Sequence, residues 1–320
     1  MKAAVYYETG KPDVFKYEDV PDPICHPKGI LIEVEAVSIE GGDVLNRAGG
    51  ALTSTPHVVG YQAAGKIIEV GSEVTDRTVG QRVATSSADG SHAALRSVPA
   101  RGSWLLPDGL GSEEGACIPV TFGTADECLF EFGHLKKGET VLIQGGAGGV
   151  GIAAIQLAKH AGATVISTAS TQAKLDFLKE LGVDHCINYV EQDLLEEVRR
   201  FTDNKGVNLV VDPVGGHVLE SSLKAIGYRG RVVTVGNAGR ETVKFDLGGL
   251  MGMNQSITGV FLGAEIATDR AYNMIQSRIE GVANGDYKVV IDRTYPLAEA
   301  GAAHEYIESR QAIGRVLLIP

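Results

Sequence analysis

The sequence predicts an α/β protein in two parts, one β-rich and one a doubly wound parallel sheet. Three observations predict it. At roughly 150 residues per domain, 320 residues make two domains. Up to about Cys117 the chain runs in short β-rich stretches broken by Gly and Pro. From about Ile118 the rhythm becomes apolar strand, glycine-containing turn and helix of roughly 10 to 15 residues, repeated several times, as a parallel sheet requires.

Taken in order, the first strands are Ala3–Tyr7, Ile30–Val37, Ala64–Val70, Gln81–Ala84 and His92–Val98, a pattern that suits an antiparallel or barrel-like region. In the second part, strands Val141–Gln144, Thr164–Thr168, His185–Ile187, Leu209–Asp212 and Arg231–Val235 alternate with helices Val150–Ala161, Gln172–Leu181, Leu194–Phe201 and Val218–Ile226. Beyond about Gln255 come one more strand, a helix around Arg270–Gly281, strand Val289–Tyr295, helix Leu297–Ser309 and strand Arg315–Ile319. This tail has no core of its own and is expected to return to the first part. The predicted domains are therefore 1–117 with 263–320, and 118–262. No long repeat or low-complexity linker interrupts them.

Composition excludes several function classes. With 44% hydrophobic and 22% charged residues, the chain is that of a globular protein. A net charge of −11 and the lack of a basic tract argue against nucleic acid as a partner. Of the four cysteines, none forms a CxxC pair for zinc or thiol exchange, and a reducing cytoplasm fits them best. The first residues carry Glu8 and no apolar core, so no signal peptide is expected. Two uncharged runs, Thr140 to Ala158 and Leu247 to Ala264, reach the length of a membrane span, but their glycines and amides read as strand, loop and buried helix. No membrane association is expected. The 41 glycines, roughly twice the usual share, belong in turns and where backbone meets a ligand closely.

The strongest chemical motif runs from Val141 to Gly151, followed by an apolar helix. Gly146, Gly148 and Gly151 satisfy GxGxxG between a strand and a helix, where free N–H groups and the helix dipole face a pyrophosphate. The first glycine is expected to make the tight turn, the second to clear the phosphate and the third to let helix and strand pack. An NAD site places Asp or Glu about 20 residues later, on the adenosine ribose. Here that place reads Ser167 to Lys174, without a carboxylate before Asp176. Ser170 and Lys174 would instead bind a 2′-phosphate, which points to NADPH. The alternative for Lys174 is a solvated lysine in the first turn of a helix.

Together with Val58–Gly65, Val79–Val83, Val120–Ala125, Leu181–Tyr189, Val211–Gly215 and Gly314–Ile319, the glycine motif makes the whole chain resemble a zinc-independent medium-chain dehydrogenase/reductase of the quinone oxidoreductase group. The resemblance implies a GroES-like catalytic domain plus a Rossmann domain. It implies NADPH contacts at Gly148, Gly149 and Val150, at Ser170, Lys174 and Tyr189 around the 2′-phosphate, at Gly236 and Asn237, and at Phe261 and Leu262 near the nicotinamide. Thr124 falls at the family's Gly-x-Thr-Ala position. Tyr189 has an alternative as a cover for the sheet edge.

Zinc-dependent relatives hold their metal through a Cys-Gly-x-Asp and a Gly-His-Glu segment. These align with Glu40–Asp43 and Gly60–Gln62, so the ligand positions carry Glu40 and Tyr61, and Ala84 to Leu106 contains no cysteine for a structural zinc. No metal is expected; the alternative is a substitute site at Glu40 near His57. Without a Lewis acid, the acceptor must already be electrophilic, a quinone or an activated alkene. Tyr61 is the first candidate to hydrogen-bond the developing oxyanion, with Gln62 and Asp43 behind it; the alternative is an aromatic lid. Arg47 would serve an anionic acceptor or pair with Asp43, and the sequence leaves that open. Three readings follow: an NADPH:quinone oxidoreductase, a reductase of enones, 2-alkenals or enoyl thioesters, and a non-catalytic NADPH-binding protein like the lens crystallins. The resemblance also implies a homodimer through Gln255–Val260.

Overall fold

The computed structural model describes residues 1–239, 241–242 and 248–320. Leu247, where the second uncharged run begins, lies outside them. The chain divides into two compact units, Met1–Gly123 with Gly263–Pro320, and Thr124–Leu262.

The first unit opens with β1 (Lys2–Val5) and β2 (Lys16–Asp19), an antiparallel pair. It continues through β3 (Gly29–Ser38), α1 (Gly41–Gly49), β4 (Gln62–Val70), β5 (Arg82–Ser86), β6 (Leu95–Pro99), β7 (Ser103–Leu105), α2 (Ser112–Gly115) and α3 (Ile118–Asp126). The second unit holds β8 (Thr140–Ile143), α4 (Gly149–His160), β9 (Thr164–Ala169), α5 (Gln172–Glu180), β10 (His185–Asn188), α6 (Leu194–Phe201), β11 (Val207–Asp212), α7 (Gly216–Ala225), β12 (Ile226–Thr234), α8 (Gly248–Met251) and β13 (Ser256–Gly259). The tail adds α9 (Leu262–Glu265), α10 (Asp269–Ala283), β14 (Ile291–Pro296), α11 (Ala300–Glu308) and β15 (Arg315–Ile319).

The first unit's larger sheet has the order β14-β15-β3-β4-β5-β7, with β6 also paired to β3. Its core is aliphatic, with Ile30, Ile32, Ile67, Val83 and Leu318 among the buried side chains. The tail enters this core directly, because β15 pairs antiparallel with β3 through Leu317 opposite Ser38. In the second unit all neighbouring strands run parallel in the order β10-β9-β8-β11-β12-β13. The central strands β8 and β11 read as largely apolar runs, since helices cover both faces of such a sheet. That order places the reversal between β8 and β9 on one side and β11 on the other, at whose carboxyl ends ligands bind in open α/β sheets.

The boundary between the units falls after Gly123, six residues beyond the position that the change of rhythm suggests. The reason is α3. Its start marks the new rhythm, but its first turn still belongs to the first unit, where the Val120 N–H donates to Gln62 Oε1 at 2.9 Å.

Candidate active site

In the second unit, the glycine turn between β8 and α4 has three different physical jobs. Gly145 carries the left-handed backbone, with φ of +63°, so the tight turn belongs to it and not to Gly146. Gly146 is glycine for packing, since a Cβ there would lie 2.0 Å from Ser167 Oγ. Gly151 is glycine for the same reason, its Cβ position being 2.5 Å from the Gly145 carbonyl oxygen. Gly148 differs. It caps α4 in extended backbone, is exposed, and a Cβ would meet nothing nearer than the Gly145 oxygen at 3.4 Å. An exposed glycine at a helix start, followed by half-buried Gly149 and Val150, leaves N–H groups and the positive end of the α4 dipole open to an anion.

Strand register brings the next group together. Asn188 at the end of β10 pairs with Ala169 at the end of β9, and the Tyr189 N–H donates to the Ala169 carbonyl at 3.2 Å. Ser170 and Tyr189 therefore leave adjacent strands at the same level. Thr171 caps α5 by accepting from the Lys174 N–H, which sets Lys174 in the first turn beside them. Tyr189 is 51% exposed. No carboxylate leaves β9 at this point, so the donor set here fits an adenosine phosphate and not a bare ribose diol.

The loop after β12 is fitted against the loop after β11. A Cβ on Gly236 would meet the Pro213 oxygen at 2.8 Å, one on Gly215 would meet Asn237 Oδ1 at 2.9 Å, and the Gly239 N–H donates to Val214 O at 2.8 Å. After β13, Phe261 is exposed and Leu262 buried. Thr124 lies buried in α3.

In the first unit, a buried polar cluster surrounds the start of α1. Asp43, fully buried, accepts from the Glu40 N–H at 2.8 Å and from the Tyr61 N–H at 3.1 Å. Glu40 accepts from Gln62 Nε2 and forms an ion pair with Arg315. Arg315 also donates from Nε to Ser38 Oγ at 2.9 Å. Burial pushes the Glu40 carboxyl up to about 7, against the opposing pull of Arg315 and Gln62. Burial likewise raises Asp43 to about 7, and the neighbouring charge of Glu40 adds to it.

The tyrosine itself is held at every point. Its backbone N–H ends on Asp43, and its carbonyl accepts from buried Arg96 at 2.8 Å. Its ring lies against Gly42, where a Cβ would come within 2.2 Å of Tyr61 Cε2. Its hydroxyl oxygen accepts from Asn46 Nδ2 at 3.1 Å. Because Asn46 supplies the donor, the phenolic hydrogen is not used in that bond. Burial raises the Tyr61 pKa, with the Asp43 charge adding, so the hydroxyl is protonated at neutral pH.

Several expectations change here. Gln62 and Asp43 stand behind the backbone of Tyr61 and behind Glu40, and neither bonds the Tyr61 hydroxyl; Asn46 does. Arg47 neither faces an acceptor nor pairs with Asp43. It is 1% exposed, with Nη1 on the Gly10 carbonyl at 2.6 Å and Nη2 on Glu308 at 2.7 Å. Glu40 is engaged by Arg315, while His57 contacts Thr53 at 3.3 Å, so the two do not converge on a cation. Among the described residues, no group of three His, Cys, Asp or Glu side chains is arranged to hold a metal.

Residues 26–128 match the family model described as alcohol dehydrogenase GroES-like domain, and residues 149–280 match the one described as zinc-binding dehydrogenase. The chain is 34% identical to a 2-haloacrylate reductase of Burkholderia sp, covering all of this chain and 99% of that one. It is 30% identical to a quinone oxidoreductase of Sus scrofa, covering 100% and 98%. A solved Escherichia coli quinone oxidoreductase complexed with NADPH superposes with a TM-score of 0.95 at 31% identity, over the full length of both chains. A GroES-like domain joined to a nucleotide-binding parallel sheet defines the medium-chain dehydrogenase/reductase class. Within that class, the chain belongs to the zinc-independent quinone oxidoreductase group.

Proposed function

We propose that this protein is an NADPH-dependent reductase that transfers hydride to a quinone without a metal. The observation that carries the reading is the exposed glycine cap of α4 combined with an acid-free end of β9, a donor set that suits a dinucleotide bearing a 2′-phosphate. The NADPH-complexed quinone oxidoreductase of the same fold supports it.

When bound, NADPH supplies a hydride from its nicotinamide. Gly149 and Val150 present backbone N–H groups to the pyrophosphate beside the bare Cα of Gly148, whose own N–H donates to the Gly145 carbonyl at 3.0 Å, with Gly146 and Gly151 letting the turn close beneath it. Ser170, Lys174 and Tyr189 hold the 2′-phosphate. Gly236, Asn237, Thr124, Phe261 and Leu262 orient the nicotinamide end. Tyr61 donates its free hydroxyl hydrogen to the oxygen on which charge develops, while Asn46 keeps the ring in place and Asp43 and Gln62 hold the backbone around it.

A second reading, reduction of an activated alkene, is favoured by the likeness to a 2-haloacrylate reductase. Reduction of that class also generates an anion needing a hydrogen-bond donor such as Tyr61. We further propose a cytoplasmic homodimer joined through β13, which stands at the edge of the parallel sheet with Ser256 exposed. The test is a fluorescence titration with NADPH, then 1,2-naphthoquinone, 9,10-phenanthrenequinone and trans-2-hexenal as acceptors, followed at 340 nm. Turnover with the quinones is expected. Turnover with the alkenal alone would select the second reading, and tight NADPH binding with no acceptor reduced would make the protein a cofactor-binding one.

A further inference from the structure

A hydrogen-bond chain crosses the interior of the second unit beneath the glycine turn. The Gly145 N–H donates to Thr168 Oγ1 at 3.0 Å, and Thr168 Oγ1 donates to Gln144 Oε1 at 2.9 Å. Gln144 Nε2 donates to Ser222 Oγ at 3.1 Å, and Ser222 Oγ donates to Asp212 Oδ2 at 3.1 Å. The other oxygen of Asp212 accepts from the Val214 and Gly215 N–H groups at 2.8 and 2.9 Å. The four side chains are between 0% and 3% exposed.

Two features set this chain apart from ordinary buried polar packing. Every donor points the same way, toward Asp212. Asp212 accepts from Val214, Gly215 and Ser222, which sets the direction of the Ser222 hydroxyl, which sets the Gln144 amide, which sets Thr168. Bonds aligned in series polarise one another in a dry interior. Secondly, both ends of the chain terminate on backbone that needs help to keep its shape. Gly145 and Gly215 both have left-handed backbone, with φ of +63° and +73°. One begins the turn that precedes α4, and the other lies against Gly236 and Asn237, as its packing on Asn237 Oδ1 records.

We infer that the chain Thr168–Gln144–Ser222–Asp212 is a positioning device, which locks the pyrophosphate turn and the loop after β11 into one geometry so that both grip the dinucleotide together. This rests on the dinucleotide reading above. None of the four residues touches the cofactor in that reading; each acts through the glycine turns. Cutting the chain anywhere between its ends uncouples one end from the other while each keeps its own terminal bond, and a second cut then adds little. Because the device acts on the turn that meets the pyrophosphate, NADPH and NADH lose affinity by the same factor.

The experiment compares Thr168→Val, Ser222→Ala and their double variant in the full chain, by fluorescence titration with NADPH and NADH alongside thermal unfolding. Each single change is expected to raise Kd about tenfold for both cofactors, and the double variant also about tenfold, well short of the product. Thr168→Ser, which keeps the hydroxyl, is expected to bind as the parent does. Gln144→Met cuts the chain at its middle and gives the same answer should either single variant fail to fold. A lowered melting temperature with unchanged Kd would reduce the chain to a fold support and overturn the inference, as would a double variant whose Kd is the product of the two. A parent protein that binds neither dinucleotide would overturn the functional reading itself, and the inference with it.

Discussion

Asn46 Nδ2 stands 3.1 Å from the Tyr61 hydroxyl oxygen, and the bond runs from the amide to the phenol. A tyrosine that accepts from a neighbour retains its own hydrogen for another acceptor, and its phenolate is stabilised by the same bond. Tyr61→Phe removes that hydrogen while leaving the ring on Gly42. The expected result is a fall of about a hundredfold in kcat with an alkenal acceptor, with NADPH affinity unchanged. Stopped-flow measurement of NADPH oxidation checks it, and Asn46→Leu should give a smaller loss in the same parameter.

Gly148→Asp separates folding from binding. The position has extended backbone and open space, and Asp is at least as good a helix cap as Gly, so thermal stability should hold or rise slightly. A carboxylate in the phosphate position should nevertheless weaken NADPH binding by about a hundredfold. Calorimetric melting and a titration on the same sample read both.

Cofactor choice should follow Lys174. Lys174→Ala is expected to lower kcat/KM for NADPH about tenfold and leave NADH within a factor of about two, because NADH lacks the 2′-phosphate that the ammonium would neutralise. Steady-state rates with both cofactors decide it.

The buried imidazoles His92 and His304 meet Nε2 to Nε2 at 3.1 Å, so one donates and the other accepts, and the two rings are not both protonated. Burial drives His92 down to about 3 and His304 well below its ordinary value. Unfolded histidine titrates near 6.5, so the stability these rings confer is complete above about pH 6.5 and is lost as pH falls toward about 3. His304→Leu should cost stability at pH 7.5 yet lose less of it between pH 6.5 and 4.5 than the parent does. Urea unfolding across that range tests this. Glu40 and Asp43, raised by burial, act in the opposite sense, so the comparison is made between variant and parent at each pH.

If β13 joins two copies, Ser256→Lys with Thr258→Lys places like charges against each other across the twofold and should yield a particle of 33.7 kDa by sedimentation. NADPH binding by the separated chains should persist, since β13 carries none of the phosphate contacts.

Much of this was legible in the residues. β15 has the bounds its apolar run suggests, Arg315–Ile319, and helix Leu194–Phe201 likewise. Such elements have strong periodicity and clear breakers. α1 was not legible, because Glu40-Gly41-Gly42 reads as a turn. Its helix exists through the Asp43 side chain bonded to the Glu40 N–H and through a tyrosine that needs Gly42 beneath its ring. β2 and β7 are short and carry charges or a lone tryptophan, which leave no alternation to detect. In the site, the glycine motif told its own story, though the left-handed residue is Gly145 and not the first glycine of the pattern. The partners of Glu40 and Arg47 were out of reach, because Arg315 and Glu308 come from hundreds of residues away and no spacing rule connects them. Arg315 did lie within a recognisable family segment, Gly314–Ile319, which was the one available hint.

The position of β15 beside β3 also imposes an order on biosynthesis. Every strand of the parallel sheet lies between residues 140 and 259, so that sheet can finish as soon as this stretch has left the ribosome. The first 123 residues emerge earlier but must wait, with the Val37–Ser38 end of β3 unpaired on one side and Glu40 lacking its guanidinium, until residues 315–319 arrive. During that interval the nascent chain carries an unpaired strand edge and an uncompensated carboxyl, which makes the half synthesised first the half completed last.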